Sequence, residues 1–152
     1  EESIPLILQY SNRVAEVHGH HYTEVLKINS LFNAVADELA SHMNKEENIL
    51  FPYIKSLLQL ELSEEPLSPP PFGSINNPIA MMESEHESAG DIFKEIAKLT
   101  NNYTPPEDAC NTFRALYAKL DEFEQDLHQH IHLENNILHP KAKLLEQNLI
   151  NN

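Results

Sequence analysis

The residues best suited to chemistry form a repeat. His42-Met43-Asn44-Lys45-Glu46-Glu47-Asn48-Ile49-Leu50-Phe51-Pro52 returns as His130-Ile131-His132-Leu133-Glu134-Asn135-Asn136-Ile137-Leu138-His139-Pro140, and both copies read His-x-x-x-Glu-x-Asn-Ile-Leu-x-Pro. Residues four apart on a helix lie on one face a turn apart, so each copy presents an imidazole beside a carboxylate. His42 and Glu46 continue an apolar stripe of Val25, Ile28, Leu31, Phe32, Val35, Leu39 and Met43. His130 and Glu134 continue one of Phe113, Leu116, Tyr117, Leu120, Phe123 and Leu127, and His86 falls among Ile79, Met82, Ile92, Phe93, Ile96 and Leu99. That placement predicts side chains that point inward. A buried carboxylate or imidazole is costly unless it is paired or binds a metal, and a metal would satisfy all five together. Imidazole and carboxylate ligands suit iron, manganese or zinc, and carboxylates able to bridge suit a dinuclear site.

His18, which ends the first helix before Gly19, is a further candidate ligand; the alternative is a histidine favourably placed at a helix C-terminus. An isolated His-x-x-x-Glu is ordinarily a surface pair, so the weight rests on the two matched copies together with His86. His128 and His132 are expected on other faces, exposed or behind the ligands. His20 and His21 fit a loop, and His139, which stands where the first copy has Phe51, fits the rim. Glu47, Glu85 and Glu87 read as solvated charges. Tyr22, Tyr53 and Tyr117 read as packing residues able to donate a hydrogen bond near the site, and Cys110 as a small packed side chain. No Ser-His-Asp order, phosphate-cradling glycine loop or His-Glu-x-x-His occurs, so hydrolase and kinase chemistry finds no support. The ferritin-like pattern sets Glu three residues before His, whereas here His comes first with a spacing of four, which points to a different bundle family.

The elements that must hold these groups are helical. The chain has 152 residues, only three glycines and long stretches rich in Leu, Glu, Lys and Ala, enough for one domain, 1–152, with a buried core. Residues 3–18 read as the tail of a first helix, cut short. Thr23 caps a second that runs to about Leu60 with a kink at Pro52. The proline-rich stretch 61–78 reads as a long loop, and a third helix begins near Pro78 and stops before Asn101-Asn102-Tyr103-Thr104-Pro105-Pro106. Thr104 and Glu107, with Pro105 between them, read as a capping box opening a fourth helix, kinked at Pro140 and fraying over Gln147 to Asn152. The expected fold is all-α: an antiparallel four-helix bundle with a truncated first helix.

A net charge of −14 and the lack of any Lys/Arg cluster disfavour nucleic acid and anionic membranes as partners. Cys110 is the sole cysteine, which excludes an internal disulfide and a thiolate zinc cage and suits a reducing, cytoplasmic setting. No apolar run is long enough to span a membrane. The chain starts at Glu1 rather than Met and reads as a piece of a longer protein.

These residues also carry a family resemblance. Val17-His18-Gly19, Ser41-His42-Met43-x-Lys45-Glu46-Glu47-x-Ile49-Leu50-Phe51-Pro52, Met82-Glu83-Ser84-Glu85-His86-Glu87-x-Ala89-Gly90, Thr100-Asn101-Asn102-Tyr103-Thr104-Pro105-Pro106 and His130-Ile131-His132-Leu133-Glu134-Asn135-Asn136-Ile137-Leu138 resemble the bacterial repair-of-iron-centres proteins, di-iron members of the hemerythrin-like group. The resemblance covers nearly the whole chain. It implies a non-haem centre of two iron ions, with Glu46 and Glu134 as bridging carboxylates and His42, His86 and His130 as terminal ligands. His18 matches a further histidine near the family's site. The family's own first-helix ligand and its cysteine-bearing N-terminal domain would fall upstream of Glu1, so the site in this chain is expected to be incomplete or to take zinc or manganese in place of iron. The implied function is repair of iron-sulfur clusters damaged by nitric oxide or peroxide, with the damaged proteins as clients and iron as cargo rather than an enzymatic turnover. The alternative is a hemerythrin-like module that binds or senses dioxygen or nitric oxide. Homodimerisation is left open.

Overall fold

The computed structural model describes residues 3–63 and 73–151. It contains α1 (Ser3–His18), α2 (Glu24–Lys45), a π-helical turn (Glu46–Leu50), α3 (Phe51–Ser63), α4 (Asn76–Leu99), α5 (Asn111–Leu133), a second π-turn (Glu134–Leu138) and α6 (His139–Asn151). Each π-turn joins its flanking helices without a break, so the chain makes four helical runs, and no strand occurs among the described residues. The fold is an all-α four-helix bundle.

The chain divides into two compact units. The first takes Glu1–Leu39 and Ser88–Gln129. Its core is built from the three-and-four stripes: Ile7 and Val14 from α1, Val25, Ile28, Phe32 and Val35 from α2, Phe93 and Ile96 from α4, and Phe113, Leu116 and Leu120 from α5, all essentially fully buried. Phe32, Phe93 and Phe123 interlock with ring centroids 5.5 to 6.3 Å apart. Gly19 ends α1 where a Cβ would collide with the Ala15 carbonyl oxygen and the Leu26 side chain.

The expected capping box does not form. Thr104 Oγ1 instead donates to the Asn101 carbonyl, and α5 starts at Asn111. Pro106 is the cause, because a residue that precedes proline is excluded from the helical region, and Pro105 is that residue. Arg114, in the first turn of α5, donates to the carbonyls of Pro106, Glu107 and Ala109 and so holds the turn that replaces the cap. Cys110 lies in this turn and is exposed rather than packed.

The second unit takes Ala40–Glu87 and His130–Asn152. Leu50, Leu57, Ile75, Ile79, Met82 and Ala142 form its core, with Tyr53, Ile54, Leu145 and Leu149 packed against them. Glu146 is buried and accepts hydrogen bonds from Tyr53 Oη (2.6 Å), Ser74 Oγ (2.8 Å) and the Ile75 amide (2.9 Å). This carboxylate ties α6 to α3 and to the residues leading into α4, so the last helix runs on to Asn151 where a frayed tail was expected. The expected loop 61–78 is shorter at both ends, because 61–63 and 76–78 are helical, and its remaining stretch 64–72 lies outside the described residues.

The π-turns occupy Glu46–Leu50 and Glu134–Leu138, the latter half of each sequence repeat. Proline without an amide cannot donate to the carbonyl four residues back, which weakens an α-helical ladder at this point. In both copies the chain takes one extra residue just before the proline: Phe51 N–H bonds to the Glu46 carbonyl, and His139 N–H to that of Glu134. Asn48 Nδ2 donates to the Asn44 carbonyl (2.9 Å), occupying an acceptor just before the irregular turn.

Candidate metal centre

All the groups that converge belong to the second unit. The end of α2 supplies His42 and the first residue of its π-turn supplies Glu46; α4 supplies His86; the end of α5 and its π-turn supply His130 and Glu134. His42, Glu46, His86 and Glu134 are buried, and each offers a ligand atom within 4.8 Å of the others. His42 Nε2 lies 2.8 Å from Glu46 Oε1 and 3.1 Å from His86 Nε2. His86 Nε2 lies 3.3 Å from Glu134 Oε2, and His130 Nε2 contacts Glu134 Oε1 directly.

Proximity here is not hydrogen bonding. Glu46 Oε1 and both Glu134 oxygens are buried without a directed hydrogen-bond partner, although imidazole nitrogens crowd around them. Buried polar atoms are nearly always paired, so orphaned oxygens and nitrogens that share one small space fit a cation among them. An all-nitrogen-and-oxygen donor set is compatible with iron, manganese or zinc.

The outer partners set the imidazole tautomers. Glu85 Oε1 accepts from His42 Nδ1 (3.3 Å), and Lys45 Nζ holds the other Glu85 oxygen at 3.0 Å. Asn135 Oδ1 accepts from His86 Nδ1 (2.9 Å). Carboxylate and amide oxygens can only accept, so both Nδ1 atoms carry the proton and both Nε2 atoms face the cluster. Metal-binding histidines are oriented in this way, by a partner on the far nitrogen. Glu85, expected in solvent, is thus part of the support for His42.

Burial opposes ionisation of Glu134, but the imidazoles of His130, His139 and His86 crowded against it outweigh that and hold its carboxyl well below the usual carboxylate range. Burial, with the neighbouring Glu134 charge, pushes the Glu46 carboxyl up against the pull of His42. Two adjacent carboxylates therefore divide: one stays ionised and the other keeps its proton more readily. Burial pulls the His42 imidazole down, yet Glu46 and Glu85 more than compensate, and the Glu134 carboxylate in contact with His130 raises that imidazole.

A cation must displace these protons. Each raised group stabilises the protonated, metal-free fold below its unfolded-state pKa and loses that contribution as pH rises through its folded pKa. Metal affinity is accordingly expected to rise with pH through and above the ordinary imidazole range, with each displaced proton worth about 1.4 kcal/mol per pH unit. Competition titrations with a chromophoric chelator between about pH 6 and about pH 8 check this, and an affinity independent of pH would contradict it.

The positions of the remaining expected residues are mixed. His130 touches Glu134 but its side chain is 52 % exposed, so it is not on the inward line. Between Leu120 and Glu134 the buried residues are Leu120, Leu127 and Glu134, spaced by seven, and His130 sits roughly 60° to their side, whereas Leu39, His42 and Glu46 in the first copy are all buried. His18 is not in the cluster: it lies in the first unit, with Nε2 3.3 Å from Cys110 Sγ and its ring 5.3 Å from Phe113. Tyr22, Tyr53 and Tyr117 serve packing and hydrogen bonds elsewhere, to Asp108, to Glu146 and in the first core respectively.

His139 departs most from expectation, being 0 % exposed rather than on the rim. The π-turn is wider than an α-turn and closes with the His139 N–H on the Glu134 carbonyl five residues back, which brings His139 round towards the face of Glu134. The repeat held the signal, because the conserved spacing from Glu to Pro marks the irregular turn in both copies.

A helical bundle with buried imidazoles and carboxylates converging on one space defines the class of cation-binding four-helix proteins. The chain belongs to the hemerythrin family: residues 2–142 match the Hemerythrin HHE cation binding domain. It is 40% identical over 141 residues to the iron-sulfur cluster repair protein YtfE of Yersinia pseudotuberculosis serotype IB (strain PB1/+), covering 93% of this chain and 58% of that protein. The same identity and coverage hold for the protein of that name from Yersinia pestis (strain Pestoides F). The chain thus spans a little over half the length of these relatives.

Proposed function

We propose that Glu46, Glu134, His42, His86 and His130 hold a pair of iron ions, the carboxylates bridging, and that the protein restores damaged iron-sulfur clusters by donating that iron. The observation that carries this reading is the set of orphaned carboxylate oxygens at the centre of a buried imidazole cluster. The name of the YtfE relatives supports cluster repair as the destination of the iron. Nitrogen and oxygen donors without thiolate favour exchange over permanent retention, and protons can return to His42, His130 and Glu46 as an ion leaves. Bound iron would supply Lewis acidity and one-electron chemistry. A free Cys110 and the absence, among the described residues, of any helix long and apolar enough to cross a membrane accord with work on cytoplasmic clients.

Iron-loaded protein incubated with a nitric-oxide-damaged cluster enzyme is expected to restore activity beyond equimolar free iron, and to do so with a chelator present that captures free iron. Restoration no better than free iron overturns donation. The second reading, a dioxygen or nitric oxide binding module, is favoured by the exposed side of His130, which leaves one approach to the cluster open to solvent. Optical and spin-resonance spectra separate the two: a reversible adduct marks gas binding, and loss of iron on exposure marks donation.

A further inference from the structure

We infer that His139 is an additional metal ligand, binding through Nε2 beside Glu134. This rests on the metal site proposed above. His139 is fully buried, its Nε2 has no hydrogen-bond partner, and that atom lies 3.5 Å from Glu134 Oε2. Its other nitrogen, Nδ1, donates to Glu83 Oε1 at 3.2 Å. The arrangement repeats that of His42 with Glu85 and His86 with Asn135: an acceptor on α4 or the π-turn takes the Nδ1 proton, and Nε2 is turned into the cluster. The His139 ring lies parallel to that of His86, at an interplanar angle of 2° and a centroid separation of 6.1 Å, so the two nitrogens face the same carboxylate from neighbouring positions.

The internal repeat supplies a control. Phe51 occupies the equivalent place in the first copy and is 39 % exposed, while His139 is 0 % exposed. Hydrophobicity alone would bury the phenylalanine and expose the histidine. A polar ring buried where its apolar counterpart is not, with a nitrogen aimed at a carboxylate oxygen and no hydrogen bond made between them, is accounted for by a cation between the two. Both copies carry the same π-turn, so the backbone is common to the two and the difference lies in the side chain that follows it. The second copy of the repeat thus offers two imidazoles, His130 and His139, to one carboxylate.

The test uses cobalt(II) alone as the probe, with the protein labelled with nitrogen-15 at histidine. In the cobalt-loaded protein the Nδ1–H resonance of His139 is expected to be strongly shifted by the paramagnetic ion and to disappear in His139→Phe and His139→Gln, with cobalt affinity falling about 10–100-fold in both. His139→Gln keeps a polar group able to bond Glu83, so a purely structural role predicts that it retains affinity while His139→Phe does not. If the wild-type protein takes up no cobalt, the metal-site reading itself fails. If cobalt binds and the shifted resonances and affinity are the same in His139→Gln as in wild type, the assignment of His139 alone is overturned, and that variant serves even where His139→Phe does not fold.

Discussion

Replacing Glu134 with glutamine is expected to weaken metal binding by on the order of 100-fold or more, the largest effect of any single side-chain change in the cluster. Loss of an outer hydrogen-bond partner already costs 10–100-fold at typical metal sites, and Glu134 stands inside that layer. Both of its oxygens are buried and face imidazoles of His130, His86 and His139. An amide removes the charge and turns one of two acceptors into a donor aimed at those nitrogens. Glu46→Gln is expected to lower metal affinity less steeply, because the Glu46 carboxyl is already pushed towards its neutral form before metal binds. Glu134→Gln also changes acid stability. A carboxyl depressed in the fold stabilises it above the unfolded-state pKa of about 4.3 and loses that contribution as pH falls, so the variant should be less stable than wild type near neutrality and converge on it in acid. Isothermal titration with metal, and urea unfolding without metal across that range, measure the two consequences. Wild-type metal affinity in Glu134→Gln would remove the carboxylate from the site.

Deleting Ile137 is the second large effect, and it separates the backbone's part from that of the side chains. The Ile137 side chain is 44 % exposed, so Ile137→Ala should change stability by less than about 1 kcal/mol. Removing the whole residue takes away the extra position that makes the turn a π-turn. All of α6 would then rotate by roughly 100° and shift by about 1.5 Å relative to α5. His139 would leave Glu134, Ala142 would leave the core of the second unit, and Glu146 would leave Tyr53, Ser74 and the Ile75 amide. Unpairing a buried carboxylate costs on the order of 3 kcal/mol by itself, so the deletion should destabilise by at least that and abolish metal binding. Urea unfolding and metal titration of both variants check the contrast; a deletion no worse than the alanine substitution would show that the turn does not set the register.

Much of this was legible in the sequence, for identifiable reasons. The stripes through Phe32, Phe93 and Leu116 follow α-helical spacing, and tertiary contacts buried the residues that spacing selects. His42, Glu46, His86 and Glu134 were readable because they extend those stripes with groups that do not belong in a core. His139 was not, since it follows Glu134 by five, and a five-residue turn has no place in a pattern of threes and fours. The α5 boundary was misplaced because Thr104 and Glu107 have capping-box spacing while Pro106 forbids the helical conformation one residue earlier. Glu146 and Glu85 were hidden for a different reason: a carboxylate in a polar stretch looks solvated until the donors that meet it, Tyr53 and Ser74 or His42 and Lys45, are brought from distant positions.

The doubled π-turn also bears on how such a centre is inherited. A turn that differs from an ordinary helix by one residue can be gained by a single-codon insertion and lost by a single-codon deletion, with every His and Glu codon left intact. Two descendants could then share the whole set of ligating residues and differ in whether they hold metal. For tracing this lineage, a gap between Glu134 and Pro140 is as informative as a substituted histidine.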